Sequence, residues 1–188
     1  MLPFCLICCE HIQDFLKDRM RICMVCRQSF SPAVGNKGVI SVFAYEGTLR
    51  SLILRAKVDG DPLATDALLR LFTSAEKVSS AVSRSTHIVA APSSLWGRCR
   101  GKTDLAALLA MNLAKISGRP LVKVSSRLFW SWKKQAQRKD RRHEGQLKSR
   151  WGGALVVDDI ITTGYTLRRV GSTLQDSKVG FLTLAQAR

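Results

Sequence analysis

Hydrophobic runs alternate with amphipathic segments along most of the chain. Apolar runs rich in β-branched residues predict strands at residues 39–45, 87–91, 121–124, 154–157 and 179–185. Between them, apolar residues at helical spacing predict helices at residues 48–57, 62–77, 104–116 and 167–174. Thr103 is expected to cap the third helix and Gly118 to close it. Strands that alternate with helices indicate an α/β fold with a mainly parallel sheet.

The strand predicted at residues 154–157 is followed by polar residues that could form a binding site. Its residues are all apolar, as expected of a buried parallel strand, and Asp158 and Asp159 follow directly. Residues 162–166 then read Thr-Thr-Gly-Tyr-Thr before the next helix begins. Free N–H groups and hydroxyls at a helix start can seat a phosphate, whereas two carboxylates suit hydroxyl donors or a hard cation. Together they indicate a site for a ribose 5-phosphate, although a helix cap in any doubly wound domain would share part of this pattern.

Six cysteines are present, and four of them form two Cys-x-x-Cys pairs near the N-terminus. Fourteen residues separate the pairs, a spacing typical of a structural zinc site with four thiolate ligands. The predicted ligands are Cys5, Cys8, Cys23 and Cys26. Cys9 and His11 are close enough to replace one of them, so the choice of Cys8 over Cys9 rests on spacing alone. No secretory leader is evident, which disfavours disulfides.

Length, composition and charge indicate the size of the domains and the kind of partner. Its 188 residues, 46% of them hydrophobic, suffice for one domain of ordinary size and a small appendage, and no apolar run is long enough for a membrane helix. We predict a zinc module at residues 1–31 and an α/β domain at residues 38–188. The net charge of +16 favours polyanionic partners.

Much of this charge lies in residues 127–150, which we predict to be a loop inserted in the α/β domain. The segment has nine Lys and Arg residues against Asp140 and Glu144, and it includes Trp130 and Trp132. Cations interleaved with aromatic rings suit single-stranded nucleic acid, a cationic loop over a pyrophosphate, or a solvated helix with its tryptophans in the core. The candidate nucleic-acid ligands are Trp130, Trp132, Lys133, Lys134, Arg138, Lys139, Arg141 and Arg142.

Residues 156–166 resemble the signature of type I phosphoribosyltransferases, which bind phosphoribosyl pyrophosphate (PRPP). With the zinc module, the whole chain is similar to the ComF family of competence-associated, phosphoribosyltransferase-like proteins. Residues 43–57, 87–92 and 98–101 carry the rest of the resemblance. It implies a type I phosphoribosyltransferase fold, structural zinc, and Mg²⁺ bound with PRPP. The implied PRPP-binding residues are Asp158, Asp159, Ile160, Thr162, Thr163, Gly164, Tyr165 and Thr166, with both aspartates as the catalytic residues. Arg98, Arg100, Lys133 and Lys134 are implied at the pyrophosphate.

This chain departs from the family beside the pyrophosphate and the acceptor. After Gly101 it has Lys-Thr-Asp where the family usually has Phe-Asn-Gln, so the resemblance is stronger for PRPP binding than for turnover. The expected function is binding of PRPP and single-stranded DNA during DNA uptake in natural transformation. The alternatives are an active phosphoribosyltransferase of nucleotide metabolism, with PRPP or a phosphoribosyl nucleotide as ligand, and a PRPP sensor. The resemblance implies DNA-uptake or helicase machinery as partners, and a cytoplasmic location or a peripheral one at the inner membrane.

Overall fold

A computed structural model of the chain describes residues 4–12, 15, 19–34, 38–92, 103–123, 153–174 and 179–187. The strands are β1 (Val39–Ala44), β2 (His87–Ala90), β3 (Leu121–Lys123), β4 (Ala154–Ile161) and β5 (Gly180–Gln186). The helices are α1 (Met24–Gln28), α2 (Gly47–Lys57), α3 (Pro62–Thr73), α4 (Glu76–Ser83), α5 (Leu105–Ser117) and α6 (Tyr165–Leu174). The predicted α/β class is therefore confirmed.

The five strands form one sheet in the order β1-β5-β4-β2-β3, and every pairing in it is parallel. From β2 the chain continues through α5 to the outer strand β3, whereas from β4 it continues through α6 to β5 on the other side. The strand order thus reverses between β2 and β4. In open parallel sheets, ligands bind beyond the carboxyl ends of the strands at such a point.

Helices cover both faces of the sheet. On one face, α2, α3, α4 and α5 pack with Ile88, Leu155, Val157 and Leu182 in the larger apolar cluster. On the other face, α6 packs Leu167, Val170 and Leu174 against Val89 and Val156. Successive residues of a strand point to opposite faces, so β4 supplies both cores with nearly continuous apolar residues.

The predicted end of one helix and the predicted cap of another are wrong. The helix predicted at residues 62–77 ends at Thr73, and a separate helix, α4, follows. The hydroxyl groups of Thr73 and Ser74 donate to carbonyls one turn back, at Leu69 and Leu71, which competes with continuation of the helix. Asp104, and not Thr103, caps α5, since its carboxylate accepts the N–H of Ala107 at 3.1 Å. Gly118 closes α5 in the left-handed conformation, as predicted.

The cysteine-rich segment packs directly against the α/β domain. Ser31 and Ala33 exchange backbone hydrogen bonds with β1, where the Ala44 N–H donates to Ser31 and the Ala33 N–H to Val42. The Phe30 ring packs edge-on against Phe43 with ring centres 5.7 Å apart. The larger apolar cluster also contains Cys5, Ile12, Met20, Ile22, Cys26 and Phe30. One core therefore serves both parts of the chain.

Candidate functional site

The four predicted zinc ligands come together in the structure. The Sγ atoms of Cys5, Cys8, Cys23 and Cys26 all lie within 4.8 Å of one another, and those of Cys8 and Cys23 are 3.7 Å apart. Zinc–sulfur bonds of about 2.3 Å in a tetrahedron place sulfurs roughly 3.8 Å apart. The donor set and its spacing therefore fit a zinc ion.

Burial and backbone hydrogen bonds shift the pKa values of these thiols in opposite directions. Burial raises the pKa of Cys5, but N–H groups of Cys23, Cys8 and Ile7 outweigh it and lower the pKa to about 7. The Cys23 N–H lies 3.4 Å from the Cys5 sulfur. At Cys26, burial and then the neighbouring sulfurs raise the pKa. Four thiolates at this spacing consequently need a bound cation to offset their repulsion.

The choice between Cys8 and Cys9 is explained by the backbone. Cys9 follows the first Cys-x-x-Cys turn with a left-handed φ of 62°, and its N–H donates to the Cys5 carbonyl at 3.0 Å. Among the described residues, the only cluster with metal-ligand geometry contains Cys8 and omits both Cys9 and His11. The His11 ring instead packs edge-on against Phe4.

The acid pair lies at the carboxyl edge of the sheet, where the strand order reverses. Strand β4 extends beyond the predicted apolar run, through Asp158 and Asp159 to Ile161. The neighbouring strand β2 ends opposite it, where the Ala91 N–H donates to the Val157 carbonyl at 2.8 Å. The two carboxylates are thus held on a central strand between β2 and β5.

The two carboxylates have different surroundings. Asp159 is 5% exposed, and its Oδ2 accepts a hydrogen bond from the Lys57 ammonium at the end of α2. Its Oδ1 accepts the N–H of Ile160 at 2.8 Å. Burial, followed by the charge of Asp159, raises the pKa of Asp158 to about 7, which Lys57 only partly opposes. Asp158 can therefore exchange a proton near neutral pH, while Asp159 already has a cationic partner.

The loop after the acid pair leaves its hydroxyl groups accessible. Thr162 and Thr163 are exposed, and Gly164 turns the chain into α6 with a φ of 69°. The Thr163 hydroxyl accepts the Tyr165 N–H at 3.4 Å. Tyr165 is also exposed, whereas Thr166 is half-buried. These groups can surround a small anion at the start of α6.

A cation beside this loop was not predicted. Arg168 donates from Nη2 to the Thr163 carbonyl at 2.7 Å, although a positive charge in the first turn of a helix opposes the helix dipole. A cation at this unfavourable position in the sequence is a signal that could have identified Arg168 as a residue that contacts the loop. Lys57 also belongs to the site, but the sequence gives no signal for its pair with Asp159, which is 102 residues away.

The remaining predicted site residues lie outside the described residues. They are Arg98 and Arg100, and, from the basic segment, Trp130, Trp132, Lys133, Lys134, Arg138, Lys139, Arg141 and Arg142. Their assignments to pyrophosphate and nucleic acid stay predictions.

No protein-family model matches the chain, and no curated protein shows significant sequence similarity to it. Among the helices that the structure describes, none has the length and apolar character needed to cross a membrane.

Proposed function

We propose that this chain is a ComF-like protein with a type I phosphoribosyltransferase fold, and that it binds PRPP together with Mg²⁺. The observation that carries the proposal is the arrangement at the carboxyl edge of β4. An acid pair, a threonine-rich loop with a left-handed glycine and a helix start follow one another at the reversal of strand order. This combination suits a ribose whose 5-phosphate meets the loop and whose hydroxyl groups meet the acids.

In this proposal each group has a separate role. The loop from Thr162 to Thr166 binds the 5-phosphate through N–H and hydroxyl donors, with Arg168 contributing positive charge nearby. The carboxylates of Asp158 and Asp159 accept hydrogen bonds from the ribose 2′- and 3′-hydroxyls. Mg²⁺ would supply charge neutralisation for the pyrophosphate, a leaving group in any phosphoribosyl transfer. The four thiolates at the N-terminus would hold a structural zinc ion.

Calorimetry with PRPP in the presence of Mg²⁺ tests the proposal. We expect the native chain to release or absorb heat on binding, and the double variant Asp158→Ala with Asp159→Ala to show none. Asp66→Ala is the matched control, since Asp66 is an exposed acid on α3 that pairs with Arg70. Absence of binding by the folded native protein, or equal affinity in the double variant, would refute the proposed site.

We further propose that the protein binds single-stranded DNA during DNA uptake. The support is the net charge of +16 and the basic, tryptophan-containing segment 127–150. If about five cations contact phosphates, log affinity should fall with log salt at a slope near −3.5, at ~0.7 per contact. Neutralising Lys133, Lys134, Arg141 and Arg142 should flatten the slope, as measured by salt titration with labelled oligonucleotides. An unchanged slope would assign the DNA contacts to another surface.

The second candidate is an active phosphoribosyltransferase of nucleotide metabolism. It is favoured by the raised pKa of Asp158, since a carboxyl group that exchanges protons near pH 7 can assist a proton transfer. Pyrophosphate release in the presence of a set of nitrogen nucleophiles distinguishes this candidate from PRPP binding without turnover.

A further inference from the structure

Lys57 is the last residue of α2, and this end of the helix is held in place by contacts with several other segments. Its carbonyl accepts the Thr103 N–H at 3.0 Å, in the segment that precedes α5. Two residues earlier, Arg55 donates to the Leu6 carbonyl at 3.0 Å and to the Asp61 carboxylate at 2.6 Å. The end of α2 is therefore fixed relative to both the cysteine-rich segment and α3.

From this fixed position the Lys57 side chain reaches the acid pair. Its side chain is 36% exposed, whereas that of Asp159 is 8% exposed, so the ammonium enters the site from the solvent side. A buried carboxylate without a partner is unfavourable, and the ammonium provides that partner. Lys57 thereby occupies the position at Asp159 that a cation from solution would otherwise take.

This occupation changes which cations the site can accept. Mg²⁺ and Mn²⁺ bind through several oxygen ligands, preferably carboxylates with a net negative charge. With Lys57 at Asp159, at most one uncompensated negative charge remains on the acid pair, and Arg168, in the first turn of α6, donates to the adjoining loop. The pair retains oxygen atoms that accept hydrogen bonds from hydroxyl groups, but it lacks the charge that would attract a free divalent ion.

We propose that Lys57 is a specificity-determining residue that excludes free divalent cations from the acid pair, so that the metal enters only as part of a complex with the ligand. This inference rests on the proposed function for its ligand, the Mg²⁺ complex of PRPP. Metal exclusion is a role for Lys57 beyond its contribution to the stability of the ion pair with Asp159. A purely structural ion pair would stabilise the fold without changing metal selectivity.

Electron paramagnetic resonance of Mn²⁺ provides a direct test, because bound Mn²⁺ loses the six-line signal of the free ion. At pH 8, without PRPP, we expect the native protein to leave millimolar Mn²⁺ free. Lys57→Met should bind Mn²⁺ at least about 10-fold more tightly, because it leaves the buried Asp159 carboxylate without a cation. Lys57→Arg retains the positive charge and should restore exclusion.

Two further variants make the result decisive. Arg70→Met removes an exposed cation from another ion pair and should leave Mn²⁺ binding unchanged. Lys57→Met combined with Asp159→Asn removes both charges, which avoids an unpaired buried carboxylate if the single variant folds poorly. This double variant should not gain Mn²⁺ affinity. Equal Mn²⁺ affinity in the native protein and folded Lys57→Met, or a gain that persists in the double variant, would overturn the proposal.

Calorimetry with PRPP and Mn²⁺ binding on the same protein samples test the proposed function and the role of Lys57 independently. If the native protein binds no PRPP in calorimetry but Lys57→Met gains a Mn²⁺ site, the PRPP assignment fails and the role of Lys57 holds. If PRPP binds and the Mn²⁺ affinity of Lys57→Met is unchanged, the PRPP assignment holds and the role of Lys57 is wrong.

Discussion

The cysteine cluster and the acid pair are both groups of potentially negative ligands, but they differ in the source of the positive charge that balances them. At the N-terminus, four sulfurs converge at a spacing that fits a single metal ion. At the sheet edge, Lys57 already neutralises Asp159, and two exposed threonines lie in the loop that follows β4. The first arrangement suits a permanent metal ion. The second suits a ligand that arrives, makes hydrogen bonds and leaves.

The largest effect is expected at the cysteine cluster, where two neighbouring residues provide a matched pair. Cys8→Ser should reduce the zinc content from about one ion per chain to nearly none, since a structural site needs all four ligands. Cys9→Ser should keep its zinc, although Cys9 is adjacent and equally exposed. Elemental analysis of protein purified without chelators measures both. Zinc loss in the Cys9 variant alone would reverse the ligand assignment.

Loss of zinc should also affect more than the N-terminal segment. Cys5, Cys26 and Phe30 belong to the same apolar cluster as helix α2, so disruption of the metal site exposes part of the shared core. We expect chelation to lower the thermal midpoint of the whole chain, with loss of helical and sheet signal in one transition. Two separate transitions in circular dichroism, with the second unchanged, would show that the parts fold independently.

A smaller effect on stability is expected at the acid pair, because the charged form of Asp158 that could bind a ligand is unfavourable in the folded protein. The folded-state pKa of Asp158 is raised from 3.8 to about 7, so folding favours the protonated carboxyl group. Its contribution to stability is complete below pH 3.8 and is lost as the pH rises to about 7. Asp158→Asn should therefore be more stable than the native protein at pH 8, by at most about 4 kcal/mol, and should differ little from it at pH 4. Urea unfolding at both pH values measures the difference, and an equal gain at both would contradict the assignment.

The smallest effect concerns the backbone of the threonine loop. Gly164 has a φ of 69°, and its replacement by Ala should cost about 1 kcal/mol because a side chain disfavours this conformation. Gly38→Ala is the matched control, since Gly38 also has a positive φ, of 85°, with open space around it. Both variants should lose similar stability in urea unfolding, but only Gly164→Ala should weaken PRPP binding. Equal PRPP affinities would place the phosphate elsewhere.

Local patterns were sufficient to predict most of the elements and the four cysteines that come together. The Cys-x-x-Cys turns and the apolar run at Ala154 to Val157 depend on neighbours in sequence, and the structure contains both. The break between α3 and α4 was missed because it depends on hydroxyl–carbonyl bonds at Thr73 and Ser74, which compete closely with helix continuation.

Long-range contacts could not be predicted in the same way. The pair between Lys57 and Asp159 joins the end of one helix to a distant central strand, and no periodicity in the sequence relates them. The buried hydrogen bond between the Ser41 and Thr183 hydroxyls, at 2.8 Å, likewise depends on the pairing of β1 with β5. Such contacts follow from the strand order, which the alternation of strands and helices does not specify.

Arg55 has a consequence for any attempt to shorten this protein. One guanidinium holds the Leu6 carbonyl of the first cysteine turn and the Asp61 carboxylate that caps α3, while Lys57 lies two residues further along the same helix. A fragment that began at Val39 would remove the Leu6 contact and uncover the face of Phe43 that Phe30 covers. The N-terminal segment therefore helps to fix the end of α2, from which Lys57 pairs with Asp159. In a truncated domain we expect this pair to be weakened, which would leave more negative charge at the carboxyl edge of the sheet.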